Sequence, residues 1–147
     1  MPEKKDVLES ILNGEQITEE IKTKRGVFVI ALPLPKDIRN IEIEIARRLD
    51  GYPENQFSSD MLMKFRVYAS LDTVIIKAPD WWNKLESAED CPDDSLISFL
   101  YRRYLHFYQE TQKKIEKSHF NGTAKIGKAR IKTETVGDGA FQGITNG

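Results

Sequence analysis

Between Met61 and Ile76 the chain places apolar residues on nearly every face of a helix, with Met61, Leu62, Met63, Phe65, Val67, Tyr68, Ala69, Leu71, Val74, Ile75 and Ile76 in one run. A helix that is apolar all round has no side to give to water, so it must lie centrally and the rest of the fold must be arranged about it. Ser58 and Ser59 supply the cap from which it starts near Asp60, and Pro79 ends it. Its last residues, Thr73 to Ile76, are dense in β-branched side chains and also fit a short strand. Helix through Ile76 is the preferred reading.

The segments on either side supply the cover. Ile17 to Thr23 and Gly26 to Leu32 flank Lys24-Arg25-Gly26, with β-branched residues on both arms and glycine at the turn, which reads as a β-hairpin. The first arm alternates polar and apolar and is expected at an edge. The second is apolar on both faces and is expected to be more covered. Pro33 and Pro35 stop that strand, and a helix is expected from about Asp37. In it Ile38, Ile41, Ile45 and Leu49 form one stripe, Glu44 and Arg48 pair at i, i+4 on the other side, and Asp50-Gly51-Tyr52-Pro53 ends it. Residues 4–12 suit a short amphipathic helix closed by Asn13-Gly14. A long last helix opens at Asp93, Asp94 and Ser95 and carries Ile97, Leu100, Tyr101, Tyr104, Leu105, Tyr108 and Ile115 on its stripe. The expected fold is α+β and mainly helical: one hairpin packed on three or four helices, forming a single globular domain over residues 1–121. A flexible, basic, glycine-containing tail is expected over residues 122–147.

A chain of 147 residues can bury a core without staples, and its 22 basic and 23 acidic residues leave a net charge of −1. That balance denies it the positive field of a general nucleic-acid binder. Cys91 has no second cysteine to pair with, and one cysteine with His106 and His119 does not make a zinc site, so neither metal nor cofactor is expected. The first residues lack a signal-peptide apolar core and no segment has the length to span a bilayer, so a cytosolic protein is expected, without a membrane partner.

No catalytic motif is present, and a non-enzymatic role is expected. The acids from Glu89 to Asp94 lack the alternation, the glycine and the terminal glutamate of a calcium loop, and read better as caps for the following helix. Cys91 lies in an acidic stretch that disfavours thiolate. The last helix is more informative. Phe99, Tyr101 and Phe107 spread beyond a single packing face, which leaves apolar area for a second helix or a second subunit, and Arg102 and Arg103 lie on its polar side. Trp81 and Trp82 sit in a short turn capped by Asp80, where helical geometry turns their side chains about 100° apart. They are therefore expected not to share a pocket, with Trp82 buried and Trp81 partly exposed as a contact. These seven residues, Trp81, Trp82, Phe99, Tyr101, Arg102, Arg103 and Phe107, are the candidate partner-binding set. Lys125, Lys128, Arg130 and Lys132 form the basic part of the tail, suited to an acidic surface or to non-specific nucleic-acid contact.

The order of parts resembles small proteins encoded in the tail-gene clusters of tailed bacteriophages, many of them tail assembly chaperones. The resemblance covers about residues 20–110: a charged strand pair entering Ala31-Leu32-Pro33-Leu34-Pro35, a helix with Ala46-Arg47-Arg48-Leu49-Asp50-Gly51, a greasy helix with Leu71-Asp72, then Ile75-Ile76-Lys77-Ala78-Pro79-Asp80-Trp81-Trp82. It implies a non-enzymatic protein of the host cytoplasm that coats the helical tape measure protein before the tail tube forms, with self-association or multivalency as part of the task. Two other readings stay open. One is a structural virion protein at a tail or neck junction, and the other is a small nucleic-acid-binding module using Arg102, Arg103 and the basic tail.

Overall fold

The computed structural model describes residues 6–120, with His119 and Phe120 as backbone only. The expected tail over 122–147, with Lys125, Lys128, Arg130 and Lys132, lies outside the described residues, as does the start expected for the first helix at residue 4. In chain order the elements are α1 (Val7–Leu12), β1 (Thr18–Thr23), β2 (Gly26–Ala31), α2 (Pro35–Leu49), α3 (Ser59–Val74), β3 (Ile75–Lys77), α4 (Asp80–Asn83) and α5 (Asp94–Phe120), with single 3-10 turns at Glu54–Gln56 and Ala88–Asp90. This is a mainly helical α+β fold, with five helices among the described residues where three or four were expected.

The hairpin forms as its sequence predicts, with Thr18 opposite Ala31 and Thr23 opposite Gly26. The arm that is apolar on both faces is the central strand, because the sheet order is β1-β2-β3 and all pairs are antiparallel. β3 corrects the reading of the greasy run. The helix stops at Val74, and Ile75 to Lys77 pair with Val29 and Ile30 of β2. Two adjacent isoleucines favour extended backbone, and the open edge of β2 offers them hydrogen-bond partners that a last helical turn would not have.

Each boundary has a local cause. Helix α2 begins at Pro35 rather than Asp37, since proline lacks only an N–H that the first turn leaves unpaired anyway. Asp37 instead reaches back, its Oδ2 accepting the Leu34 N–H at 2.9 Å. At the other end the left-handed position falls on Asp50 (φ 53°) as well as on Gly51 (φ 84°). Ser58 caps α3 as expected, its Oγ accepting the Met61 N–H at 3.1 Å. Asp93 caps α5 through the Leu96 N–H at 3.1 Å. Asp80 does not cap α4; it is the first residue of that helix, and Pro79 holds the cap position without a side-chain bond.

One core joins the sheet to α3, α4 and α5. Ile21, Phe28 and Ile30 project from the sheet onto Leu71 and Val74 of α3 and Leu96, Leu100 and Phe107 of α5, all of them buried. Helix α1 packs on α5, with Ile11 and Ile115 at the margin of this core. Centrality is therefore shared between α3 and α5. The first turns of α3 leave Met61 and Met63 exposed, at 41% and 55%.

Helix α2 rests chiefly on α3, and Ile41 is its one buried residue. Its second anchor is ionic. The expected Glu44–Arg48 pair forms, with Nη1 3.4 Å from Glu44 Oε1, but the Arg48 side chain is only 5% exposed and lies inside. Its Nη2 donates to Asp72 Oδ2 at 2.8 Å and to Ser87 Oγ at 2.9 Å, and its Nε donates to Glu89 Oε1 at 3.0 Å. Nη1 donates to the Glu44 carbonyl at 3.2 Å. Asp72 also accepts the Ser87 hydroxyl and the Ala88 N–H, both at 2.7 Å. A guanidinium out of water needs its donors met, and here three segments of chain meet them.

Arg48→Leu should cost about 2 kcal/mol in urea unfolding. That is below the ~3–5 kcal/mol of a fully buried pair, because the orphaned carboxylates reach water. Arg48→Lys should recover only part of it, since an ammonium lacks the planar fork.

Candidate functional site

Two concave regions compete. The first, about 670 Å³, lies between α2, the end of α3 and the segment Trp82–Ser87, and is lined by Asp37, Glu44, Arg47, Asp72 and Glu86 among others. Its charges are largely spoken for: Asp72 belongs to the Arg48 network, and Glu44 is bound by Arg47 and Arg48. The hydrogen bond and charge of Arg47, with Arg48 behind it, hold the Glu44 carboxyl below the usual carboxylate range. These groups answer one another.

The second is a groove of about 620 Å³ between the hairpin turn and the first turns of α5. Leu96 and Phe99 form its apolar part, and Lys22, Lys24 and Arg25 its cationic rim, with Asp93 as the single acid. Arg25 donates to Asp93 Oδ2 at 3.2 Å. Lys22 and Lys24 are exposed and have no ion-pair partner among the described residues. Arg103 stands beside the groove, its guanidinium carbon 5.9 Å from the centre of the Phe99 ring, and it is paired with Glu19 of β1 at 3.1 Å.

The turn that makes the rim is held rigidly from behind. Thr23 Oγ1 donates to the Gly26 carbonyl at 2.7 Å and accepts the Arg25 N–H at 3.0 Å. Gly26 has φ +129°, and a Cβ there would collide with the Pro79 ring, so only glycine lets the turn close on the Ala78-Pro79 segment. The Trp81 indole N–H completes the fastening by donating to the Arg25 carbonyl at 2.8 Å.

The candidate residues thus divide. Trp82 is buried, as expected, and Trp81 is half-buried, but the expectation that they cannot share a pocket does not hold. Both rings set an edge against Phe28, at centroid distances of 6.3 Å for Trp81 and 5.2 Å for Trp82, and lie 5.7 Å from each other. Indole is long enough to close at the ring a divergence that opens at the Cα. Phe107 is also a core residue, at 7% exposure, so neither it nor Trp82 is presented at the surface.

The wide aromatic arc of α5 is covered within the chain. Phe99 faces the hairpin, while Tyr101, Tyr104 and Tyr108 run down the other flank at centroid spacings of 5.9 and 6.2 Å, near Arg66 of α3. Arg102 is exposed and donates to the Ser98 carbonyl at 3.4 Å. Of the set, Phe99 and Arg103 alone meet at the groove. The rim was missed in the sequence, although Lys22, Lys24 and Arg25 at one hairpin tip are its signal.

Among the described residues no group of three His, Cys, Asp or Glu side chains could hold a metal ion, and no helix is long and apolar enough to cross a membrane. Comparison of the chain with protein-family models, with curated proteins and with solved structures gives no match in any of the three.

Two measurements follow from this geometry. Trp82→Ala should cost about 3–5 kcal/mol as a core truncation, while Trp81→Phe should lose only about 1 kcal/mol with its hydrogen bond; denaturant unfolding separates them. Burial pushes the Tyr104 phenol up to about 12, so its phenolate absorbance should appear late and vanish from the titration in Tyr104→Phe. The unfolded chain ionises this group first, so the stability it contributes is intact below pH ~10 and lost as pH rises through ~12.

Proposed function

We propose that the protein is a non-enzymatic tail assembly chaperone that binds the tape measure protein during tail morphogenesis, with the groove between the hairpin turn and α5 as its contact surface. The observation that carries the reading is that groove: an apolar floor at Leu96 and Phe99, walls fixed by the Trp81 and Pro79 contacts, and at the rim Lys22 and Lys24, unpaired among the described residues. A pre-shaped apolar groove with a polar edge is how an extended helical partner is gripped at its anchors. Many copies, each binding weakly, then hold a long partner by avidity.

The resemblance of residues 20–110 to tail-cluster proteins supplies the partner. The nucleic-acid reading draws less from the geometry, because Arg103 is neutralised by Glu19 and covers one face of the Phe99 ring. Co-expression tests the proposal. A tape measure fragment should move into the soluble fraction and co-purify with the protein, and the protein should be missing from purified particles. Fixed copy number in virions would instead place it as a structural component.

A further inference from the structure

We propose that the groove at the hairpin tip selects an acidic segment of its partner, one large apolar side chain flanked by carboxylates. This deepens the reading just given and rests on it only for the partner's identity. The apolar anchor is set by the floor. Leu96 is buried against the core and Phe99 is half-buried, so together they offer an apolar seat within about 620 Å³, room for one large side chain and its neighbours.

The flanking chemistry is set by charge. Lys22 and Lys24 stand on the rim with no carboxylate partner among the described residues, while the other charges at the site are paired: Arg25 with Asp93, and, beside the groove, Arg103 with Glu19. Two cations without an ion-pair partner among the described residues thus stand beside an apolar seat. An acidic segment gains from both features at once, whereas a neutral one gains from the seat alone.

The rim does not have to be ordered on binding. The Thr23 turn bonds, the Gly26 approach to Pro79 and the Trp81 bond to Arg25 fix the backbone that carries both lysines, so little conformational freedom is lost when the partner arrives. Trp81 is accordingly a positioning residue of this site rather than a contact. Nucleic acid fits less well, because the Arg103 guanidinium already lies over one face of Phe99, where a base would stack.

The test uses the full chain and a synthetic peptide with a central tryptophan flanked by glutamates. Controls are the same peptide with glutamine for glutamate and a single-stranded oligonucleotide of equal charge. The acidic peptide should shift the amide resonances of residues 22–25 and 95–99, with affinity that falls as salt rises. It should bind about tenfold more weakly after Lys22→Glu with Lys24→Glu, and the glutamine peptide should show the same loss on the unchanged protein. Because both lysines are exposed, the double variant should melt as the parent does. Trp81→Phe should weaken the peptide while leaving the salt dependence unchanged. Equal binding of the glutamine peptide, shifts confined to other residues, or tighter binding of the oligonucleotide at the same amides would each overturn the proposal. The tape measure fragment separates the two claims. Retention by the double variant equal to that by the parent removes the acidic groove and leaves the chaperone reading. Peptide bound at these amides with no fragment retained does the reverse.

Discussion

The edge-on packing of two adjacent tryptophans against Phe28 is the contact on which the arrangement of this chain depends. Phe28 is wholly buried in the central strand, and Trp81 and Trp82 approach it at nearly perpendicular ring angles of 82° and 89°. A two-stranded hairpin is marginal in water by itself. Here it gains a third strand, a short helix that closes over the same aromatic ring, and α5 across its face. The preference of aromatic rings for edge contacts gives the seat a direction as well as an area, and that direction points the hairpin tip at the first turns of α5.

From that contact the rest is ordered by what each element can cover. The aromatic arc of α5 is too wide for one neighbour, so the hairpin takes one flank, α3 the other, and α1 the distal half. Glu19 lies on the core-facing side of β1, where a lone carboxylate would be costly, and Arg103 of α5 meets it. The same pairing sets Arg103 over Phe99. A structural compensation at the sheet margin thereby sets a cation against a ring that lines the groove.

What could be read from the sequence follows from range. The hairpin, the stripe of α2, the Ser58 cap and the course of α5 are set by neighbours within a few positions, and local patterns report them. The strand Ile75–Lys77 was legible only as an alternative, because the edge of β2 that decides it lies some forty-five positions earlier. The Glu44 and Arg48 pair was legible from its spacing, but that spacing says nothing of Asp72, Ser87 and Glu89, which draw the arginine inside. The groove joins Arg25 to Asp93, 68 positions apart, and no periodicity anticipates such a meeting. Trp82 and Phe107 were grouped with contact residues because aromatic side chains serve cores and interfaces alike.

The two ways in which α2 is held give the molecule unequal strength. Its apolar seat is a single buried isoleucine with partly covered neighbours, and the remainder is a set of charged bonds centred on one guanidinium. The sheet and α5, by contrast, share a continuous dry interior. Detaching α2 should therefore require less free energy than dissolving that interior, which predicts a sub-global opening in which α2 leaves α3 while the sheet stays closed. Amide hydrogens of α2 would then exchange by that partial route, ahead of those in β2, and the apolar stripe of Ile38, Ile41, Ile45 and Leu49 would be the first interior surface shown to solvent.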